Sequence, residues 1–131
     1  MNPTFAEIRE DMHAWARREY DVAFRNWHED VEWYPDVVGT LEGNDAYRGH
    51  EGLRRWSEAI EDVFDRVESD VTEVRDLGDR MVVLGTTKVY GKGSGMAVEE
   101  PLAFVLDMRD GKVARAVSYR NHARGLEAAG A

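Results

Sequence analysis

Three side chains in this 131-residue chain have the types and settings to move a proton or steady a negative charge: His50, Glu99 and Arg120. A histidine at a helix start or a glutamate on a strand suits general acid–base work, and a guanidinium can hold a carboxylate or enolate oxygen. Each has a plainer reading. His50 sits in a glycine-flanked corner where it can simply cap the helix, Glu99 beside Glu100 reads as a solvated strand end, and Arg120 can pair with an acid such as Glu32. Ser118 has no identifiable base, so nucleophilic catalysis is unsupported. The histidines at 13, 28, 50 and 122 show no metal-ligand spacing, and the lack of cysteine removes thiolate ligands and disulfides. No metal and no cofactor is expected.

Trp15, Trp33 and Trp56 come from three segments that would converge on one side of a sheet, an aromatic lining suited to a flat apolar ligand. Core packing alone also calls for large apolar residues on helix stripes. Strand parity nominates further pocket residues. If Ala103 faces inward, so do Glu99, Pro101 and Val105, with Ala114, Ala116, Ser118 and Arg120 on the neighbouring strand. For the strand from Arg80 to Tyr90 the rows Thr86, Lys88, Tyr90 and Thr87, Val89 fit equally; the first nominates Lys88 and Tyr90.

The elements that must position these residues centre on the stretch from Arg80 to Arg120. Arg80–Tyr90, Met96–Arg109 and Lys112–Arg120 are rich in β-branched and aromatic residues, joined by Gly91–Gly95 and by Asp110-Gly111, a strong hairpin signal. An antiparallel meander is expected. Gly91-Lys92-Gly93-Ser94-Gly95 lies between two strands and opens no helix, so it reads as a hairpin tip and not a phosphate loop. Leu102, Phe104 and Leu106 lie on one face of the middle strand and Ala103 and Val105 on the other, so both faces require burial, and a homodimer through the outer face is expected.

Ahead of the meander, Thr4-Phe5-Ala6-Glu7 has the form of a capping box and Phe5, Ile8, Met12 and Trp15 make a helical stripe ending near Arg18. A short helix over 21–28, an edge strand over Val31–Tyr34, a loop over Asp36–Gly49 and a third helix over about Glu51–Asp65 follow. Val67–Leu77 is a strand whose alternation slips between Val71 and Val74, the mark of a bulge. Pro101 belongs at an edge or bulge. Asn121 caps a closing helix through Ala129 that Gly130 stops.

The length fits one domain over residues 1–131, and the net charge of -9 with scattered basic residues argues against a nucleic-acid surface. The first twenty residues carry seven charges, Glu7, Arg9, Glu10, Asp11, Arg17, Arg18 and Glu19, and no apolar segment for a signal or span, so no membrane partner and a cytoplasmic location are expected.

Several strings, Asp30-Val31-Glu32-Trp33, Tyr47 through Trp56, Gly93-Ser94-Gly95, Asp110-Gly111-Lys112-Val113 and Gly125 through Gly130, together with the order of elements, resemble the SnoaL-like members of the nuclear transport factor 2-like superfamily. The resemblance implies an α+β fold: a strongly curved antiparallel sheet packed on three or four helices, forming a cone whose open end holds a small apolar ligand. It also implies isomerase- or cyclase-type acid–base chemistry. By that resemblance the isomerase base falls at Trp33 and the oxyanion-hole acid at Ala103, the last-strand acid falls at or next to Ser118, and the first-helix tyrosine falls near Met12, so none of the family's known sites is intact. The expected function is therefore binding of a small hydrophobic molecule, polycyclic or carbonyl-containing, with acid–base chemistry from His50 or Glu99 and Arg120. The competing reading is a non-catalytic ligand- or partner-binding module of the same fold.

Overall fold

Thr4 and Glu7 close the capping box at the start of α1 (Phe5–Ala16), each side chain accepting the other's backbone N–H at 3.2 and 3.1 Å. This computed structural model describes residues 1–35 and 46–131. The further elements are α2 (Tyr20–Ala23), β1 (Trp27–Tyr34), β2 (Tyr47–Arg48), α3 (Gly49–Val63), β3 (Phe64–Asp76), β4 (Arg80–Gly91), β5 (Ala97–Arg109), β6 (Lys112–Tyr119) and α4 (His122–Ala129).

One curved, unclosed sheet carries the strands in the order β2-β1-β6-β5-β4-β3. β3 to β6 form the antiparallel meander, and Asp110-Gly111 turns its last hairpin with φ of 56° and 76°, the two positive values a tight hairpin turn needs. The sheet is mixed, not wholly antiparallel, because β1 runs parallel to β6 with Trp33 beside Ala116. β1 is also longer than expected. α2 stops at Ala23, and Trp27, read as helical, instead begins a strand opposite Val113. A one-turn helix has too few hydrogen bonds to outcompete a run of β-prone aromatics. Nor is β1 the edge: Tyr47 pairs with Trp33, so β2 takes that place inside the segment expected to be loop. The remainder of that loop, 36–45, lies outside the described residues.

The broken alternation in β3 corresponds to a register shift between Val71 and Glu73. Opposite it stands Gly85, where an added Cβ would lie 1.9 Å from the Asp70 carbonyl oxygen. Pro101 pairs with Thr86 on one side, while β6 reaches only as far as Ala103, so its missing N–H faces no strand.

The two faces of the sheet bury different things. Met81 and Val83 of β4, Leu106 of β5 and Val113 and Ala116 of β6 join α1, α2 and α3 in the main core. On the other face Val82, Leu84, Ala103 and Val105 pack under Leu126 and Ala129 of α4. The second apolar row of β5 is thus covered within the chain. Gly125 allows that approach, since a Cβ there would come within 2.6 Å of Ala103 Cβ, and His122 Nε2–H donates to the Gly85 carbonyl at 2.8 Å. Among the described residues no helix is long and apolar enough to cross a membrane.

Candidate functional site

α1, α3 and the turn after α2 close over the inner face of the sheet and leave a cavity of ≈ 120 Å³. Its walls are aromatic. Trp15 stacks on Trp56 with centroids 5.4 Å apart, and Trp33 meets Trp27, Trp56 and Phe104 edge-on at 5.8, 5.2 and 5.5 Å. The Trp15 indole is fixed by its N–H, which donates to Ser57 Oγ at 2.9 Å, and that hydroxyl donates in turn to the Leu53 carbonyl at 2.7 Å. α1 and α3 are joined through this chain, so the stacked pair is held from both helices.

Four polar side chains reach the walls: Asp11, Asn26, Ser69 and Thr87. Ser69 and Thr87 share a hydrogen bond of 3.2 Å between their hydroxyls. Asp11 is 7% exposed; its Oδ2 accepts from Asn26 Nδ2 at 3.1 Å and Arg25 stands 2.8 Å from Oδ1. Burial pushes its carboxyl above the usual aspartate range, against the pull of Arg25. Among the described residues no group of three or more His, Cys, Asp or Glu side chains is arranged to hold a metal ion.

Of the residues nominated from sequence, Trp15, Trp33 and Trp56 line the cavity. Ser118 is buried on the inner face opposite Phe104 but is not part of the cavity wall. Ala103 corrects the parity expectation: it lies on the other face beneath α4, and Leu102, Phe104 and Leu106 point into the cone instead. Glu99 follows Ala103 outward, paired with Lys88 and exposed. Lys88 and Tyr90 also belong to the outer row, where the Tyr90 hydroxyl donates to Glu68 at 2.9 Å; Thr87 is the residue of β4 that lines the cavity at that level. Arg120 lies past the end of β6, exposed, 3.9 Å from Glu100. His50 is outside the cavity as well. In the first turn of α3 its Nε2 donates to the Trp27 carbonyl at 2.7 Å, and its ring meets Phe24, tying α3 to the start of β1.

The parity error has a physical origin. Both rows of β5 are apolar, and what distinguishes them is size: the large row fills the cone, while Ala103 is small because Gly125 of α4 approaches it. Asp11, Trp27 and Phe104 were missed as wall residues. For Asp11 a signal existed, since it stands at three- and four-residue spacing from Ile8 and Trp15, an acid on the buried stripe of α1.

The SnoaL-like domain model matches residues 8–116, most of the chain. The chain belongs to the SnoaL-like family. No curated protein matches it. Among solved structures, this SnoaL-like chain is similar to an NTF2-like protein of unknown function from Burkholderia pseudomallei, at 19% identity, 96% coverage of each chain and a TM-score of 0.77. It is similar to TerC, crystallised with polyporic acid, at 23% identity, covering 92% of this chain and 93% of that one, TM-score 0.75. A Catenulispora acidiphila protein with a ketosteroid isomerase-like fold, in complex with trimethylamine, gives 16% identity, 99% and 95% coverage and a TM-score of 0.74. At these identities the likeness concerns the fold, a SnoaL-like cone with its helices inside.

Proposed function

We propose that this SnoaL-like protein binds a small, flat, apolar molecule inside the cone. The observation that carries the reading is the cavity itself, walled by four tryptophans and Phe104. Its ≈ 120 Å³ is comparable with the roughly 150 Å³ apolar cavity that takes up benzene in another protein, so a one- or two-ring body fits it better than a polycyclic one. Offset and edge-on aromatic walls favour a planar ligand, whose faces and rim both find partners. That TerC and the Catenulispora protein were crystallised with small organic molecules supports the same reading. Binding is favoured over the acid–base chemistry expected of His50, Glu99 and Arg120, because all three lie outside the cavity. A thermal-shift series with benzene, naphthalene and a tetracyclic steroid tests it: a rise in melting temperature with naphthalene supports the proposal, and no rise with any of them contradicts it.

A homodimer through the outer sheet face remains part of this reading. The surface available beside α4 includes Ala97, Pro101 and Val117. Light scattering at micromolar protein should return the dimer mass; monomer mass alone removes this part.

A further inference from the structure

A row of polar side chains crosses the inner face of the sheet where the cavity wall meets solvent. Ser69 pairs with Thr87 between β3 and β4, and Thr87 pairs with Glu100 between β4 and β5, so the three side chains share one face. Ser69 and Thr87 belong to the cavity wall, as does Leu102, two residues on from Glu100 and therefore on the same side of β5. Arg120, just past the end of β6, extends the row by bringing its guanidinium to 3.9 Å from Glu100 Oε1. That distance is too long for a hydrogen bond, and among the described residues neither side chain has another partner. The Glu100 and Arg120 side chains are 34% and 49% exposed, so the carboxylate lone pairs and guanidinium N–H groups are open to a third group. The next row outward is apolar again: Val67, Val89 and Val98 are cross-strand neighbours, and Val98 is 54% exposed. Solubility alone would place the charges in that outermost row and the valines behind them.

We propose that Glu100 and Arg120 form the polar end of the ligand site, holding a neutral group with an acceptor and a donor side by side, the carboxamide class, on a flat ring that lies among the tryptophans. This rests on the binding reading above and deepens it. The charges of the pair decide the class. An anionic substituent would gain Arg120 and be repelled by Glu100, and a cationic one would meet the reverse, so each leaves one member of the pair opposed. A carboxamide suits both: its carbonyl accepts from the guanidinium and its N–H donates to the carboxylate, with a charge-assisted bond at each end. Ser69 and Thr87, whose hydroxyls bond each other, carry the row inward to the apolar wall where the ring would lie.

The test compares naphthalene, 2-naphthamide and 2-naphthoate, which share one ring system, by calorimetric titration of the wild type, Arg120→Ala and Glu100→Gln. The wild type should bind 2-naphthamide about tenfold more tightly than either of the others. Arg120→Ala should lose most of that preference and hold naphthalene within about twofold. Glu100→Gln, close to isosteric, should narrow the gap between the amide and the carboxylate, because the repulsion that excludes the anion is gone while Arg120 remains; a merely structural role for Glu100 would not move that ratio. Equal binding of naphthalene and 2-naphthamide by the wild type, tighter binding of 2-naphthoate than of the amide, or an amide preference that survives both substitutions overturns the role of the pair and leaves the cavity reading standing. Binding of none of the three probes overturns both.

Discussion

Trp33 and Trp56 meet edge to face, ring centroids 5.2 Å apart at 77°, one carried by β1 and the other by α3. The contact couples the sheet to the helix across the cavity wall, yet the two residues are not equivalent. Trp33 is 2% exposed and touches three further groups of the core, its ring neighbours Trp27 and Phe104 and, across the β1–β2 pair, Tyr47. Trp56 is only partly buried and stacks on Trp15. Trp33→Ala should therefore lower stability by about 3–5 kcal/mol in urea melts. Trp56→Ala should be milder in the same melts while weakening naphthalene binding, because it removes a wall more than a keystone. Equal losses of stability would contradict this division.

Asp11 makes a pH prediction whose sign follows from its environment. Burial holds its carboxyl above the unfolded value, so the folded state binds more protons and stability declines as pH rises from the unfolded pKa through the folded one. Asp11→Asn carries no charge to bury. Its melting temperature should exceed that of the wild type near neutral pH, and the advantage should shrink as pH falls toward the ordinary aspartate range, about 4. Melts of both proteins across that interval check it. A wild-type advantage at neutral pH would mean that the Arg25 pair outweighs burial.

Ala103 is the position at which the family resemblance points to an acid, and here it faces α4. Ala103→Asp should place a carboxylate against Gly125 and lower stability by roughly 2–4 kcal/mol, as an unpaired buried charge does. Naphthalene affinity, measured where the variant is still folded, should not change. A gain or loss of affinity greater than a few-fold would place Ala103 on the cavity side after all.

Gly85 serves the bulge in β3. A methyl group there meets the Asp70 carbonyl oxygen at 1.9 Å, backbone that cannot swing aside. Gly85→Ala should cost about 1–3 kcal/mol or more in a denaturant melt, with the strain of overpacking. Wild-type stability in that variant would mean that the β3–β4 pair adjusts freely.

Much of this architecture could be read from local chemistry. The Thr4–Glu7 capping box, the Asp110-Gly111 turn, the bulge after Val71 and the Asn121 and Gly130 caps of α4 each depend on a few neighbouring residues, and each stands where the spacing puts it. The expectations that failed depend on distant partners. The parallel pairing of β1 with β6 and the use of Tyr47–Arg48 as the edge strand are set by packing between segments far apart in sequence. The inward row of β5 depended on which side α4 would choose, and an apolar strand with two buried faces does not declare that locally. The candidate site divides the same way. Tryptophans on a helix stripe announce a wall, whereas His50 looks catalytic in sequence and turns out to hold the Trp27 carbonyl.

The measurement closest to the central claim is a titration of the protein with naphthalene followed by tryptophan emission, run beside Val83→Phe, whose larger ring would occupy the cavity that Val83 now lines. The cavity reading predicts a saturable change with one site per chain, weakened about tenfold or lost in Val83→Phe. A change that never saturates, or the same affinity in both proteins, would contradict it.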